Sequence, residues 1–418
     1  MVLRFQFITK EVEILNKPEL LAPAGSLSKL KFAFLYGADA VYIGGEAFSL
    51  REAAENFSMA EIKEGIEYAH ERGKKVYITA NILPHNEDLS GFKEYVSEVY
   101  SYGADAIIVS DLGLFDIVKS TVPDFNIHVS TQANNVNFAS ANMWHKLGAS
   151  RVILARELSL EEISQIRQNT PKDLELECFV HGAMCISYSG RCLLSNYMTG
   201  RDSNLGACAH PCRWKYHLME EKREGEYFPV FENDRGTFIF NSKDLNMIRY
   251  VPELIKAGVS SFKIEGRVKT EYYVATITKA YRDAIDRYFD GLEFDEKIAD
   301  ELNKVSHREY TTGFFFGKPD SNQQIYGSSS YKREYDLIGI AESYNKDEKL
   351  LEVTQRNKFF VGDEIELLIP NSDFKTIKVE KMLDADKNSI ENCPHAMMKL
   401  YIPCEFECPK GTILRKAR

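Results

Sequence analysis

The sequence FAFLYGADAVYIGG, at residues 32–45, contains the pattern that best indicates the fold. A helical stretch ends at Gly37, and a short apolar run follows it without polar alternation. Glycine is favoured just past a helix end, because the backbone there turns left-handed. An unbroken apolar run is typical of a strand buried on both faces of a parallel sheet. The stretch therefore predicts one helix–glycine–strand unit.

The same unit recurs along the chain. It reads EVYSYGADAIIVSD at residues 98–111, MWHKLGASRVILAR at 143–156 and PELIKAGVSSFKIEG at 252–266, with Gly103, Gly148 and Gly258 at the helix ends. The strand-like runs in chain order are ELLAPA, AVYIGG, KVYITA, AIIVSD, NIHVST, RVILAR, ELECFV and SFKIEG. Eight such runs fit a (β/α)8 TIM-like barrel, which typically spans about 250 residues. An open doubly wound sheet is the alternative, but the sequence lacks a GxGxxG fingerprint.

A long insertion interrupts the repeat between the seventh and eighth strands, at residues 181–247. Its final part, EYFPVFENDRGTFIFNSKD, predicts a hairpin with its turn at residues 233–236. We predict a catalytic α/β barrel over residues 1–291 and a helical or irregular connector over 292–334. Short alternating strands then predict a small antiparallel β-barrel over residues 335–418. The simplest interpretation of its basic residues is a solvated face formed by Lys375, Lys378, Lys381, Arg415, Lys416 and Arg418.

Composition limits the class of protein. The chain has 418 residues, of which 44% are apolar and 27% charged, as in soluble globular proteins. It has no apolar run near the roughly 20 residues that span a bilayer, and its N-terminus lacks the apolar core of a signal peptide. These features predict a cytoplasmic protein without membrane contact. The net charge of −10 means that any RNA binding must use a local basic patch.

Four clustered cysteines predict a metal centre. Cys185, Cys192, Cys208 and Cys212 are spaced C-x6-C-x15-C-x3-C in a segment rich in glycine, serine and asparagine. Thiolates suit zinc and iron–sulfur clusters. Structural zinc sites usually have two tight knuckles, and only the second pair here fits, so an iron–sulfur cluster is favoured. Zinc and the absence of a metal remain alternatives. Isolated Cys178 and the C-terminal Cys393, Cys404 and Cys408 are interpreted as core thiols.

Polar residues near strand ends are candidates for catalysis. Glu177 and His181 belong to the seventh strand and its end, and the eighth strand, KIEGR, adds Lys263, Glu265 and Arg267. Active sites of barrels form at the carboxyl ends of the strands. We therefore expect His181, Glu177, Lys263 and Glu265 to take part in the chemistry, although each also has a structural interpretation as a salt-bridge partner.

Arginines are candidates for binding an anionic substrate, because guanidinium groups pair with carboxylates through two hydrogen bonds. Arg191, Arg201 and Arg213 lie within the insertion and also suit charge balance beside thiolates. Arg51 follows the second strand and Arg267 follows the eighth, so both are predicted to reach the barrel mouth.

Several motifs together resemble the collagenase-like peptidase family, and most closely its branch of prephenate-dependent tRNA uridine hydroxylases. They are ELLAPAG, GADAVYIGG, FVHGAMCISYSGRCLLSNYMTGRD, CRWKY, NSKDL and KIEGR, and the resemblance covers roughly residues 18–291. Some relatives have a cysteine just after the NSKDL-like motif, where this chain has Asn246. The resemblance therefore implies Cys212 as the fourth ligand, beside Cys185, Cys192 and Cys208.

The resemblance also implies a function. It implies oxygen-independent formation of 5-hydroxyuridine at the wobble position of tRNA, with a 4Fe-4S cluster and prephenate as hydroxyl source and co-substrate. Arg213, Arg267 and Arg51 would pair the two carboxylates of prephenate. A protein partner of the same family is possible. The alternatives are a hydroxylase acting on ribosomal RNA or a quinone precursor, a peptidase and a non-catalytic iron–sulfur partner. The sequence has no HExxH or GxSxG motif to support the peptidase.

Overall fold

The structure is a computed structural model that describes residues 16–49, 56–184, 194–199, 201, 209, 231–233, 236–238, 243–317 and 332–418. Along the chain up to Thr311, the strands are β1 (Glu19–Pro23), β2 (Ala40–Gly44), β3 (Lys75–Ala80), β4 (Ala106–Val109), β5 (Ile127–Val129), β6 (Arg151–Ile153), β7 (Glu175–Ala183), β8 (Phe231–Asn233), β9 (Gly236–Phe238), β10 (Asp244–Asn246), β11 (Ser261–Ile264) and β12 (Tyr310–Thr311). The helices are α1 (Leu27–Leu35), α2 (Met59–His70), α3 (Phe92–Ser101), α4 (Leu112–Thr121), α5 (Phe138–Lys146), α6 (Leu160–Gln168), α7 (Leu194–Thr199), α8 (Val251–Lys256), α9 (Glu271–Phe289) and α10 (Glu296–Glu301).

Eight parallel strands close into a barrel. Strands β1 to β7 pair in chain order, and β11 pairs in parallel with both β7 and β1. The ring is closed because Ser261 of β11 faces Glu19 on one side and Glu177 on the other. The eight strands are the eight predicted runs, so the predicted TIM-like barrel is confirmed and the open sheet is excluded.

The helix–glycine–strand units have the predicted backbone. The glycines at the ends of α1, α3, α5 and α8 have φ of 102°, 91°, 103° and 84°, in the left-handed region, and they are Gly37, Gly103, Gly148 and Gly258. Two further helices begin with a capping box. Ser58 forms one with Glu61 at the start of α2, and Ser159 forms one with Glu162 at the start of α6. These residues at the starts and ends of helices explain why the sequence predicts the repeat.

The insertion after β7 returns to the barrel sheet. Strands β8 and β9 form the predicted antiparallel hairpin. Strand β10 then pairs antiparallel with the far end of β7, where Asn246 faces His181, and β12 adds to β10 in parallel. The connector predicted at residues 292–334 thus contributes α10 and a strand of the barrel sheet, while the domain boundaries themselves stay predictions.

The C-terminal residues form a second, antiparallel sheet. Its strands are β13 (Tyr335–Asn345), β14 (Leu350–Gln355), β15 (Glu364–Leu368), β16 (Lys375–Lys378), β17 (Met382–Leu383), β18 (Ser389–Ile390), β19 (Lys399–Pro403) and β20 (Ile413–Ala417). The strand order is β16-β15-β20-β13-β14-β19-β17-β18, and no ladder among the described residues joins the two edge strands. The predicted small β domain is therefore a curled half-barrel. Its separate core contains Cys393, Cys404 and Cys408, as predicted for these thiols.

Buried polar contacts join the helices around the barrel to the C-terminal half-barrel. The Tyr36 hydroxyl donates to the carbonyl oxygens of Leu368 and Gly411 at 2.7 and 3.0 Å. Arg415 of β20 pairs with Glu301 and Glu366, each at 2.7 Å, and is fully buried. The assignment of Arg415 to a solvated basic face was wrong, because alternation along β20 turns its side chain toward α10. No helix in the described part of the chain has the length and apolar character to cross a membrane.

Candidate active site at the carboxyl end of the barrel

The cysteine-rich segment begins at the carboxyl end of β7. The last described residue before it is Met184, which is buried. The predicted ligands and three of the predicted arginines lie outside the described residues, and they are Cys185, Cys192, Cys208, Cys212, Arg51, Arg191 and Arg213. Within the described residues, no group of three His, Cys, Asp or Glu side chains is arranged to hold a metal ion.

Two described parts of this segment touch each other. The Ala209 amide donates to the hydroxyl of Ser195, in α7, at 2.9 Å, and Ser195 is fully buried. In the sequence, Cys192 precedes Ser195 by three residues and Cys208 directly precedes Ala209. Arg201 is exposed, and its backbone amide donates to the Thr199 hydroxyl at 3.2 Å.

Glu177 and Lys263 are paired in the barrel interior. The Lys263 ammonium lies 2.8 Å from one carboxylate oxygen of Glu177, and Arg151 lies 2.9 Å from the other. Arg151 also pairs with Glu19 at 2.7 Å and with half-exposed Glu175 at 2.6 Å, so two cations contact three carboxylates. Burial lowers the pKa of Lys263 despite the opposing effect of Glu177. Glu177 is fully buried and is the third residue of the nine-residue strand β7. It therefore lies below the mouth, where its negative charge offsets the positive charges of Lys263 and Arg151.

His181 lies on the helix side of the sheet. Its ring centroid is 5.6 and 6.1 Å from those of Tyr281 and Tyr273 in α9, and 5.5 Å from that of Tyr310 in β12. Burial lowers the pKa of His181 to about 3, although the charge of Asp244 opposes the shift. The imidazole is therefore neutral at pH 7 and sits in an aromatic environment. Its catalytic role stays a prediction.

Arg267 lies at the carboxyl end of the barrel. It follows β11, is only 5% exposed, and donates to the hydroxyls of Ser49 and Thr79 at 2.8 and 3.0 Å. Ser49 lies in the loop after β2 and Thr79 lies near the end of β3, so the guanidinium reaches from the end of β11 across part of the mouth. A Cβ at Gly44 would lie 2.4 Å from a guanidinium nitrogen, so glycine is needed there. Glu265 is also buried beside it, and its backbone amide donates to the His181 carbonyl at 2.9 Å.

A further set of polar residues follows β3 to β6 at the same end of the barrel. Asn81 donates to the Ser130 hydroxyl at 3.4 Å, and the Ser110 hydroxyl donates to the Asn81 carbonyl at 3.1 Å. The Asn135 carbonyl accepts from the Ala155 amide at 3.0 Å, which joins the β5 and β6 loops. These contacts place the four loops side by side along one part of the rim.

Two asparagines on this rim have unmet hydrogen-bonding atoms. Asn135 is 1% exposed, and neither its Oδ1 nor its Nδ2 has a partner among the described residues. Asn81 Oδ1 is likewise buried without a partner in that part of the chain. Leaving such an atom unsatisfied costs about 1–3 kcal/mol, and most buried polar atoms in proteins are paired. An uncompensated amide at a barrel mouth points to a ligand-binding role.

Arg156 adds a second guanidinium to this end of the barrel. It follows β6, donates to the Ala183 carbonyl at 2.8 Å, and lies 3.9 Å above the ring of Phe179. Its cationic group therefore lies directly beside the start of the cysteine-rich segment.

Sequence comparison identifies the family. The sequence model of peptidase family U32 matches residues 25–325, and that of the U32 C-terminal domain matches residues 333–415. The chain belongs to peptidase family U32. This U32 protein is 39% identical over 408 residues to tRNA hydroxylation protein P1 of Bacillus subtilis (strain 168), covering 97% of this chain and 96% of that protein.

Two further relatives come from Escherichia coli (strain K12). One is tRNA hydroxylation protein P, 40% identical over 428 residues, covering 93% of this U32 chain and 94% of that protein. The other is a 23S rRNA 5-hydroxycytidine synthase, 38% identical over 271 residues, covering 65% of this chain and 40% of that protein.

Sequence reasoning missed the asparagine rim and Arg156 of this U32 protein. A signal was present, because Asn81 directly follows the predicted run KVYITA, and Ser110 and Ser130 are polar residues near the ends of the predicted runs AIIVSD and NIHVST. Polar residues in that position are expected at the mouth of a barrel. The run STQANN, at residues 130–135, has the same pattern, since five of its six side chains are amides or hydroxyls and it directly follows β5.

Proposed function

We propose that this U32 protein hydroxylates tRNA. The observation that carries the proposal is the nearly end-to-end similarity to tRNA hydroxylation protein P1, which covers 97% of this chain and 96% of that protein. Both chains would therefore have the barrel, the insertion and the C-terminal domain. The match to the 23S rRNA hydroxycytidine synthase covers only 65% of this chain, so its substrate is the weaker candidate.

The proposed reaction is oxygen-independent formation of 5-hydroxyuridine at the wobble position, with prephenate as the hydroxyl source. Prephenate has two carboxylates, which require cationic groups at the mouth. Arg267 is held there by Ser49 and Thr79, and Arg156 lies at the same end of the barrel, after β6. Arg51, Arg191, Arg201 and Arg213 are additional candidates.

Cys185, Cys192, Cys208 and Cys212 would hold a 4Fe-4S cluster. Their thiolates are a complete ligand set for it, and the segment that bears them starts at the carboxyl end of β7. The contact between Ser195 and Ala209 supports this ligand set, because it brings together stretches adjoining Cys192 and Cys208. When bound, the cluster would supply one-electron redox chemistry beside the mouth.

The chain's own residues would bind and orient the substrates. Arg267 would pair with a carboxylate while its two hydroxyl partners fix the direction of the guanidinium. The buried Glu177–Lys263–Arg151 network below the mouth would keep the barrel floor rigid and closed. His181, neutral at pH 7, would support the β7 end through its aromatic contacts.

The proposal is tested with anaerobically purified protein, prephenate and three substrates in parallel, namely tRNA, 23S rRNA and denatured collagen. Nucleoside mass spectrometry and peptide analysis report the products, and iron and sulfide assays report the cluster. We expect 5-hydroxyuridine in tRNA alone, with about four iron atoms per chain for a 4Fe-4S cluster. Hydroxycytidine in rRNA or cleaved peptide, without modified tRNA, would overturn the substrate assignment. Cys192→Ala is expected to lose iron and product together.

A further inference from the structure

The carboxyl end of the barrel has two chemically different parts. One contains the guanidinium of Arg267, which follows β11, together with Ser49 after β2 and Thr79 near the end of β3. The other contains the neutral amides of Asn81 and Asn135, after β3 and β5. Arginine pairs naturally with carboxylates, whereas an amide offers both a donor and an acceptor. The two parts therefore suit different ligands.

The unmet atoms of Asn135 define what its ligand must offer. Its Oδ1 needs a donor and its Nδ2 needs an acceptor, and Asn81 Oδ1 needs a further donor. A carboxylate has only acceptors and would leave both Oδ1 atoms unmet. A neutral ring with an N–H beside a C=O satisfies the amide of Asn135 through two parallel hydrogen bonds. Uracil presents such an edge at N3 and O4.

The surroundings hold the asparagines in place. Ser130 accepts from Asn81 and also from the Gln132 amide, each at 3.4 Å, so one hydroxyl links β3 to the turn after β5. The Thr131 hydroxyl donates to the Leu154 carbonyl at 3.1 Å, and Ala155 donates to the Asn135 carbonyl. The backbone that bears Asn135 is therefore fixed to β6, which is the preorganisation that recognition by a single side chain requires.

We propose that Asn135, assisted by Asn81, is a specificity-determining residue that hydrogen-bonds the N3/O4 edge of the pyrimidine base to be hydroxylated. The inference rests on the proposed function, since it names how the tRNA base is recognised. Enzymes that modify a base must take it out of the stack and commonly read its Watson–Crick edge in a pocket. Binding by this edge fixes the orientation of the ring, including C5, relative to the mouth.

The test is Asn135→Asp, which is nearly isosteric. A carboxyl in this place repels O4 of uracil, but it accepts from the exocyclic amine of cytosine and can share a proton with cytosine N3. The variant and the wild type are expressed in cells that lack tRNA hydroxylation, together with tRNAs bearing either uridine or cytidine at the target position. Mass spectrometry measures 5-hydroxyuridine and 5-hydroxycytidine in each purified tRNA. We expect the ratio of 5-hydroxycytidine to 5-hydroxyuridine to rise by about tenfold or more.

Asn126→Asp is the matched control, because Asn126 is exposed at the opposite end of β5 and donates to the Asp105 carbonyl. It should leave the ratio unchanged. An unchanged ratio in Asn135→Asp, or an equal fall of both products, would overturn the inference while leaving the proposed function intact. A wild type that makes neither product in tRNA would remove the proposed function itself. If Asn135→Asp does not accumulate, Asn135→Ser must lower 5-hydroxyuridine by about tenfold in folded protein, and wild-type levels would overturn the inference.

Discussion

At the residue scale, one buried carboxylate joins the two cations of the barrel interior. Glu177 faces both Lys263 and Arg151 and is fully buried. We expect Glu177→Gln to lower the free energy of unfolding by about 3–5 kcal/mol, because it leaves two buried cations without their shared partner. Urea unfolding of the anaerobic protein measures this.

Glu175 provides the control for that change. It pairs with the same Arg151 at 2.6 Å, but its side chain is 48% exposed. Glu175→Gln should therefore cost less than about 1 kcal/mol. Equal effects of the two substitutions would mean that burial does not determine the stability of this network.

Protonation of His181 makes the stability of the folded protein depend on pH. Its pKa is about 3 in the folded protein, below the ordinary 6.5, so between these values only the unfolded chain binds the proton. Stability therefore falls as the pH drops below 6.5, by about 2 kcal/mol at pH 5. His181→Phe should remove that part of the loss, as measured by urea unfolding at pH 7 and pH 5. An unchanged pH dependence of stability in His181→Phe would contradict this assignment.

At the element scale, substitutions at two of the glycines that follow helices can distinguish the cost of backbone strain from the cost of steric overlap. A Cβ at Gly103 has its closest contact at 3.4 Å, whereas one at Gly258 would lie 2.4 Å from the Arg167 side chain. Both glycines have positive φ. Gly103→Ala should cost about 1–2 kcal/mol from the left-handed backbone alone, and Gly258→Ala should cost more. Thermal unfolding measures both losses of stability, and a larger loss for Gly103→Ala than for Gly258→Ala would refute this explanation.

Particular residues also show what the sequence could predict at this scale. Glycine punctuation and apolar runs were sufficient to identify all eight barrel strands, because local backbone and burial requirements dictate both. The sequence did not predict how deep a side chain lies within the barrel. Glu177 and Arg267 were both candidates for the mouth, but only Arg267 lies there. The position of His181 depends on a register shift between Lys263 and Ile264, which changes the face that the strand end presents. Such a shift has no signal in apolar periodicity.

At the scale of the whole molecule, Arg415 couples the half-barrel to the catalytic barrel. It is buried between Glu301 of α10 and Glu366 of β15. We expect Arg415→Met to separate a single unfolding transition into two, with the half-barrel unfolding first, because both carboxylates lose a shared partner. Differential scanning calorimetry measures this. Arg418→Met is the control, since Arg418 is half exposed and pairs only with Asp336 among the described contacts, and two transitions in that variant would contradict the role of Arg415.

We propose that this U32 protein hydroxylates tRNA and that the reaction requires an iron–sulfur cluster held by its cysteines. The most direct measurement is nucleoside mass spectrometry of bulk tRNA from cells lacking every tRNA hydroxylation protein, with and without this chain. We expect the wild-type protein to restore 5-hydroxyuridine, whereas Cys192→Ala, expressed at the same level, should not. Unmodified tRNA in the presence of the wild-type protein, or full restoration by Cys192→Ala, would contradict it.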